Sequence, residues 1–245
     1  MKPLLEITNL HYSPTGSDNL ILKKINLTVE RGKIIGIAGE SGSGKTTLAK
    51  LIAGILKPTD GTIQLDTGKV QLLFQNTEFI INPYRRVDKM IEEAVKLENK
   101  KADIELEKQY VFNQVNFNKN LWAKKGMQLS GGERQKAALA RLLAVKPELL
   151  ILDEPFSAQD IEAQTELAEL IKKLNKEDCT IICVAHDLKI LQKFCDELII
   201  MYKGEIVESG VTQKVINNPR NRYTQFLIKA GSLKLCTEDF LNIMN

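Results

Sequence analysis

The apolar positions of this chain follow two alternating rhythms. Short, nearly continuous apolar runs recur, and between them lie stretches in which apolar residues return at helical spacing. The runs Leu4-Leu5-Glu6-Ile7, Ile21-Leu22 and Ile25-Asn26-Leu27-Thr28-Val29 predict three short strands at the start. Lys33-Ile34-Ile35-Gly36-Ile37-Ala38 predicts a compact buried strand that runs into a glycine-rich stretch, Gly39 to Gly44. A helix is predicted next, because Leu48, Leu51, Ile52 and Ile55 stand at i, i+3, i+4 and i+7, with Pro58 beyond its end. Thr62-Ile63-Gln64-Leu65 and Val70-Gln71-Leu72-Leu73-Phe74 predict two further strands.

After Gln75 the rhythm changes. Val87, Met90, Ile91 and Ala94 have helical spacing, residues 98–109 are dense in mixed charge, and 77–140 is predicted to be a mostly helical insertion. The first rhythm then resumes. Leu149-Leu150-Ile151-Leu152 predicts a buried strand, and 161–174 a helix with Leu167, Leu170, Ile171 and Leu174 on one face. Thr180 to Ala185 predicts a strand and 187–195 a helix. Leu198-Ile199-Ile200-Met201 and Glu205-Ile206-Val207 predict a hairpin around Lys203-Gly204. Continuous apolar strands alternating with helices imply a parallel sheet covered on both faces.

A chain of 245 residues accommodates one large α/β domain, or a core with a smaller inserted subdomain. A formal net charge of +3 provides no global basic field, so no nucleic-acid partner is expected. Cys179, Cys183, Cys195 and Cys236 fit no zinc or disulfide spacing and are expected as reduced thiols of a cytosolic protein. Met1-Lys2-Pro3 leads straight into strand-like sequence, so no signal peptide is expected. The longest apolar stretches fall far short of the roughly 18 residues of a membrane span. A membrane role therefore requires a partner that supplies the spans.

Three segments carry chemistry. Gly39-Glu40-Ser41-Gly42-Ser43-Gly44-Lys45-Thr46 fits G-x-x-x-x-G-K-[ST], with a strand before it and a helix after it. Glycines let the backbone wrap closely around phosphate, the helix N-terminus adds partial positive charge, and Lys45 supplies a point charge at the β- and γ-phosphates of a nucleotide. Thr46 offers a hydroxyl to Mg²⁺. Asp153 and Glu154 end a buried strand, at the edge where open α/β sheets bind ligands. There Asp153 would hold Mg²⁺ and Glu154 would polarise an attacking water; a helix N-cap with an acidic first turn is the other use of Asp153-Glu154-Pro155. The strand ending at Ala185 delivers His186 to the same edge. Leu129-Ser130-Gly131-Gly132-Glu133-Arg134-Gln135 opens a helix on a glycine turn, which serves equally as a second anion site or as an ordinary N-cap.

In this order these residues resemble the ATP-binding cassette (ABC) superfamily, over nearly the whole chain. The phosphate loop corresponds to 39–46, the family's glutamine loop to Gln75, its signature to Leu129–Gln135, its paired carboxylates to Asp153 and Glu154, its D-loop to Ser157-Ala158-Gln159-Asp160, and its switch histidine to His186. The resemblance implies an α/β fold: a P-loop NTPase (RecA-like) core with an antiparallel β-subdomain and an inserted α-helical subdomain. It places the core and β-subdomain at 1–76 and 141–212, the helical subdomain at 77–140 and a helical tail at 213–245. It implies ATP hydrolysis with Mg²⁺. Glu154 would be the general base, His186 would contact the γ-phosphate, Gln75 would sense Mg²⁺ and water, and Lys45 would complete the catalytic set. Thr46, Gln75 and Asp153 would face the metal. Nucleotide contacts would come from Tyr12 stacking on adenine, from Gly39, Glu40, Ser41, Gly42, Ser43, Gly44, Lys45, Thr46 and Thr47, and, across a head-to-tail pair, from Ser130, Gly131, Gly132 and Gln135.

Two shorter matches resemble the oligopeptide, dipeptide and nickel importer branch: Phe74-Gln75 followed by Ile81-Asn82-Pro83, and Asn218-Pro219-Arg220-Asn221-Arg222-Tyr223-Thr224-Gln225. Asn76-Thr77 departs from that branch's acidic–proline pair, Gln159 stands where the D-loop commonly has leucine, and only Cys236 remains of its cysteine-bearing extension, so no metal cluster is expected. The resemblance implies a subunit peripheral to the cytoplasmic face of the membrane. Its partners would be two transmembrane permeases, a second and distinct cassette, and indirectly a solute-binding protein. The expected permease contact is the 79–95 segment beside Gln75, which opens with the apolar run Phe79-Ile80-Ile81. An exporter with separate membrane-spanning subunits is the alternative.

Overall fold

A computed structural model describes residues 2–17, 19–75, 80–157 and 159–231. The chain opens with strands β1 (Leu5–Tyr12), β2 (Leu22–Val29) and β3 (Ile34–Ala38), then helix α1 (Lys45–Ile52), then β4 (Asp60–Leu65) and β5 (Val70–Leu73). Three helices follow, α2 (Val87–Glu98), α3 (Ile104–Gln114) and α4 (Gly131–Leu143). The strand–helix alternation returns with β6 (Leu149–Asp153), α5 (Ile161–Lys176), β7 (Thr180–Val184), α6 (Leu188–Leu191), β8 (Glu197–Tyr202) and β9 (Glu205–Val211). Helices α7 (Thr212–Asn217) and α8 (Arg222–Gly231) complete the described elements.

A six-stranded sheet in the order β5-β6-β7-β3-β8-β9 forms the centre. All its pairings are parallel except β8 with β9. Every residue of β3, β6 and β7 is buried, which is why these strands read as unbroken apolar runs. Alternate residues still divide between two cores, because successive side chains leave a strand on opposite faces. Leu149 and Ile151 join Leu48 and Ile52 of α1 and the buried face of the β1–β2–β4 sheet. Leu150 and Leu152 join the side of α4 and α5, with Leu139, Leu143, Leu167 and Ile171. The smaller antiparallel sheet runs in the order β2-β1-β4.

Two element boundaries differ from expectation. Leu22 and the run at 25–29 belong to one strand, β2, with Ile21 just before it. Lys24 takes a left-handed conformation (φ 49°) and the β1–β2 register shifts nearby, so the buried residues are Leu22, Ile25 and Val29 instead of every second one. The helix expected over 187–195 is regular only over Leu188–Leu191. Beyond it the chain must turn, because Phe194 and Cys195 go into the core and Asp196 brackets Ile34, accepting its N–H at 2.8 Å and donating its own to its carbonyl at 2.8 Å.

The charge-dense stretch 98–109 supplies most of α3, whose start is capped by Asp103 accepting from Glu105 and Leu106 N–H. On the inner side of α3 Phe112 is fully buried, stacked on Phe117 and tilted against Trp122, with centroids 5.2 and 4.5 Å away. Ile81 is 2% exposed and belongs to the core, so it cannot present the apolar contact expected of it; Ile80 is half-buried, and Phe79 lies outside the described residues. Cys179, Cys183 and Cys195 are buried free thiols, and burial pushes the first up to about 12. Cys236 lies outside the described residues.

Ile151 is fully buried in the strand that delivers the paired carboxylates. Ile151→Ala should cost about 2–5 kcal/mol, whereas Leu97→Ala, at a side chain 83% exposed, should stay within about 0.5 kcal/mol of the parent. Urea titration checks this, and equal midpoints for the two variants would mean that β6 is not a core strand.

Candidate functional site

The parallel register brings three strand ends to one edge. Ile37 lies opposite Val184, and Asp153 lies opposite Val184 from the other side. Immediately past those ends come the glycine-rich loop, Glu154 and His186. The loop turns tightly. Gly44 has φ 100°, and a Cβ on it would come within 2.5 Å of Leu22 Cδ2. A Cβ on Gly39 would meet the Met201 carbonyl oxygen at 2.2 Å. Contact with backbone therefore requires glycine at Gly39, while at Gly44 the left-handed φ requires it and the Leu22 methyl adds crowding.

Lys45, the first residue of α1, is 6% exposed and folds back on its own loop. Its Nζ donates to the carbonyls of Gly39 (2.9 Å) and Glu40 (2.8 Å). Burial holds its pKa below the ordinary lysine value, partly offset by the nearby carboxylates of Glu154, Asp153 and Glu40. Thr46 Oγ1 donates to Asp153 Oδ1 at 3.0 Å. The Asp153 carboxyl is raised above the usual range, first by burial, against the hydrogen bond from Thr46 and with the charge of Glu154 adding to the rise.

Glu154 occupies the left-handed region at φ 51°, a costly conformation for a non-glycine residue. Its neighbours fix it there. Its N–H donates to Val184 O at 2.9 Å, and its carbonyl accepts from Ser157 N–H (3.2 Å) and Ser157 Oγ (2.9 Å). The carboxylate Oε2 lies 2.8 Å from His186 Nδ1. The Glu154 side chain is 12% exposed and that of His186 is 67% exposed, so the carboxylate sits at the inner end of the pair.

Ser41, Gly42, Gly44, Lys45, Thr46, Thr47, Gln75, Glu154 and His186 line one cleft of about 430 Å³. Gly39, Glu40 and Ser43 shape the loop without lining that cleft, and Asp153 is joined to it through Thr46. Tyr12 does not line it. Ile21 does line it, and its N–H donates to the Tyr12 carbonyl at 2.8 Å, which sets Tyr12 one residue pair away from the cleft. Nothing in the sequence marks Ile21 except that it precedes β2, opposite the end of β1.

The signature residues stand elsewhere. Gly131, Gly132 and Gln135 line a second cleft of about 350 Å³, which shares Gln75 and Glu154 with the first. Ser130 is the N-cap of α4: its Oγ accepts from Glu133 N–H at 3.3 Å, while Glu133 Oε2 accepts from Ser130 N–H at 2.8 Å. The ordinary capping role is thus realised, and it leaves the glycine amides of the first turn directed along the helix axis. Gln135 is engaged within the chain, donating to Pro155 O at 2.6 Å and accepting from Gln159.

A family model described as ABC transporter matches residues 22–157. The dipeptide transport ATP-binding protein DppF of Escherichia coli is 32% identical over 228 residues, covering 85% of this chain and 68% of that protein. The oligopeptide transport ATP-binding protein OppF of Streptococcus mutans is 32% identical over 251 residues, covering 94% of this chain and 82% of that protein. Among solved structures, cbiO1 from Clostridium perfringens, part of the ABC transporter complex cbiONQ, superposes with a TM-score of 0.80 at 25% identity, covering 99% of this chain and all of that one. The ATP-binding cassette MJ0796, dimeric and bound to ADP and Pi, shares the fold with a TM-score of 0.77 at 24% identity, covering 85% of this chain and 98% of that one.

Removing the Lys45 ammonium should weaken nucleotide binding about 10- to 100-fold, the range for losing a charge-assisted hydrogen bond. Titration of Lys45→Ala with a fluorescent ATP analogue measures this. Wild-type affinity in that variant would place the phosphates elsewhere.

Proposed function

Since the chain belongs to the ABC transporter family as one of its ATPases, we propose that it drives uptake of a peptide-type solute through separate membrane permeases, from the cytoplasmic face. One observation carries the site assignment: Lys45, the Thr46–Asp153 pair, Gln75 and the Glu154–His186 pair converge on a single cleft at the C-terminal edge of the parallel sheet. The relatives' names, which concern dipeptides and oligopeptides, favour a peptide over nickel or a metal chelate. No helix among the described residues is long and apolar enough to cross a membrane, which is compatible with spans supplied by two permeases.

In this reading the loop amides and the N-terminus of α1 cradle the ATP phosphates, and Lys45 exchanges part of its carbonyl contacts for the β- and γ-phosphates. The Thr46 hydroxyl and the Asp153 carboxylate form a hard oxygen pair suited to Mg²⁺, and they are the groups that would hold it; the ion would draw charge from the phosphates. Glu154 is the general base. His186 orients its carboxylate through one oxygen and leaves the other to accept from water. Gln75, which lines both clefts, faces the same water. The signature residues Ser130, Gly131, Gly132 and Gln135 serve the nucleotide of a second, distinct cassette, docked head to tail. That pairing is supported by their absence from the cleft that holds Lys45. The chain divides into a core with its β-subdomain (1–76, 141–212), a helical subdomain (77–140) and a tail (213–245). A solute-binding protein would act on the permeases and only indirectly on this chain.

Glu154→Gln is nearly isosteric and a far poorer proton acceptor. It should keep Mg-ATP binding and lose about 10²- to 10⁴-fold in turnover. With hydrolysis blocked, ATP but not ADP should trap a dimer with the partner cassette, and adding Ser130→Arg should release it. Size-exclusion chromatography reads both outcomes. Normal turnover in Glu154→Gln would remove Glu154 as the base, and an oligomeric state indifferent to ATP in the presence of the partner would remove the head-to-tail arrangement.

A further inference from the structure

The stretch Asn218 to Gln225 plays no part in the site described above, yet it folds onto the phosphate loop. Tyr223, in the first turn of α8, is 5% exposed. Its hydroxyl oxygen accepts from the Glu40 N–H at 2.8 Å. The same peptide group carries the Gly39 carbonyl, which accepts from Lys45 Nζ at 2.9 Å. Both polar ends of the Gly39–Glu40 peptide are therefore held, one by the lysine and the other by the tyrosine. This peptide follows a glycine at φ 156°, a residue with little steric resistance to rotation. Turning it over would take away one of the two carbonyls that seat the Lys45 ammonium, leaving only that of Glu40.

The tyrosine itself is firmly placed. Its ring stacks on Tyr202 at the end of β8, with centroids 4.2 Å apart. Its N–H donates to Asn221 Oδ1 at 2.8 Å. Glu208 of β9 accepts from the backbone N–H of Arg220 (2.8 Å) and of Asn221 (3.1 Å), which pins the entry to α8. The strand that carries Tyr202 also presses on the loop, since the Met201 carbonyl is the group that excludes a Cβ at Gly39. Burial pushes the Tyr223 hydroxyl up to about 12, so it stays neutral at working pH.

We propose that Tyr223 is a positioning residue of the phosphate loop: by fixing the Gly39–Glu40 peptide it presets the loop, with Lys45 seated, for the nucleotide phosphates. The inference rests on the reading of residues 39–46 as that loop. A loop that spends part of its time with the peptide turned over binds more weakly by the fraction lost, whereas saturating nucleotide restores the seated form. The effect of losing the hydroxyl therefore falls on KM and not on kcat.

The test uses the full chain and Mg-ATP. Tyr223→Phe keeps the ring and its stacking and removes only the oxygen. It should raise Kd and KM about fivefold, the equilibrium equivalent of one neutral hydrogen bond, while kcat falls by less than twofold. Amide hydrogen exchange should accelerate in residues 39–44 and stay unchanged in β6 and β7. Glu208→Gln, which loosens the entry to α8 without touching the loop, should shift KM in the same direction by a smaller factor. Lys45→Ala is run alongside. If Lys45→Ala binds as wild type, the phosphate-loop reading fails and the inference goes with it. If Lys45→Ala loses binding but Tyr223→Phe matches wild type in KM and in loop exchange, the inference alone is overturned. It is equally overturned if exchange rises throughout the core and kcat falls in step with KM, since the tyrosine would then serve only stability.

Discussion

A lysine ammonium buried beside neutral carbonyls is the constraint around which this protein is organised. Taking an ammonium out of water is expensive unless hydrogen bonds and opposite charge offset the loss. At Lys45 the direct partners are two carbonyls of the loop that precedes it, and the carboxylates of Glu154, Asp153 and Glu40 act at longer range. Such an ammonium is compensated for existing in the fold but not saturated, and it gains most from a dense anion entering the cleft. The tight turn at Gly39 and Gly44, the burial of Ser43 and the start of α1 at Lys45 all follow from placing this charge at the end of β3.

The sheet makes that placement durable. β3, β6 and β7 are buried on both faces and their parallel register ends them together, so the lysine loop, the Asp153–Glu154 pair and His186 emerge at one edge without any long-range adjustment. The left-handed Glu154 shows what the arrangement demands locally. A φ of 51° would relax if its neighbours allowed it, but the Val184 carbonyl and Ser157 hold the backbone from both sides. The reward is direction: the side chain leaves the strand end pointing at His186 and into the cleft instead of continuing along the sheet.

Much of this was legible in the sequence because the governing interactions are local. A short apolar run bounded by turn residues and rich in isoleucine and valine reads as a buried strand, and the glycine spacing over 39–44 reports its own backbone geometry. Ser130 followed three residues later by Glu133 specifies a capping box, which forms. What was not legible depends on distant partners. The bulge at Lys24 merges two short runs into β2 because β1 shifts beside it. The helix after Asp187 stops early because Asp196 must meet Ile34 from the other end of the sheet. Ile81 looked like a surface contact and is core, since only tertiary packing decides which residues of a short apolar run face outward. Ile21 and Tyr223 reach the loop from 18 residues or more away in sequence, and no periodicity could reveal them.

The two clefts add a last consequence. Gln75 and Glu154 line both, so a group entering the signature cleft meets the same side chains that face the phosphate cleft. The two clefts thus have part of one wall in common. On the signature side those walls are tied inward: Gln135 holds Pro155, directly after Glu154, and Gln159 holds Gln135. Glutamine in the D-loop, where an apolar residue would pack without polar contacts, thereby links the start of α4 to the segment that bears the carboxylate. The first turns of α4 are therefore joined to the carbonyl of the residue that follows Glu154 by a single side-chain amide, that of Gln135, and Gln159 fixes that amide from the other side.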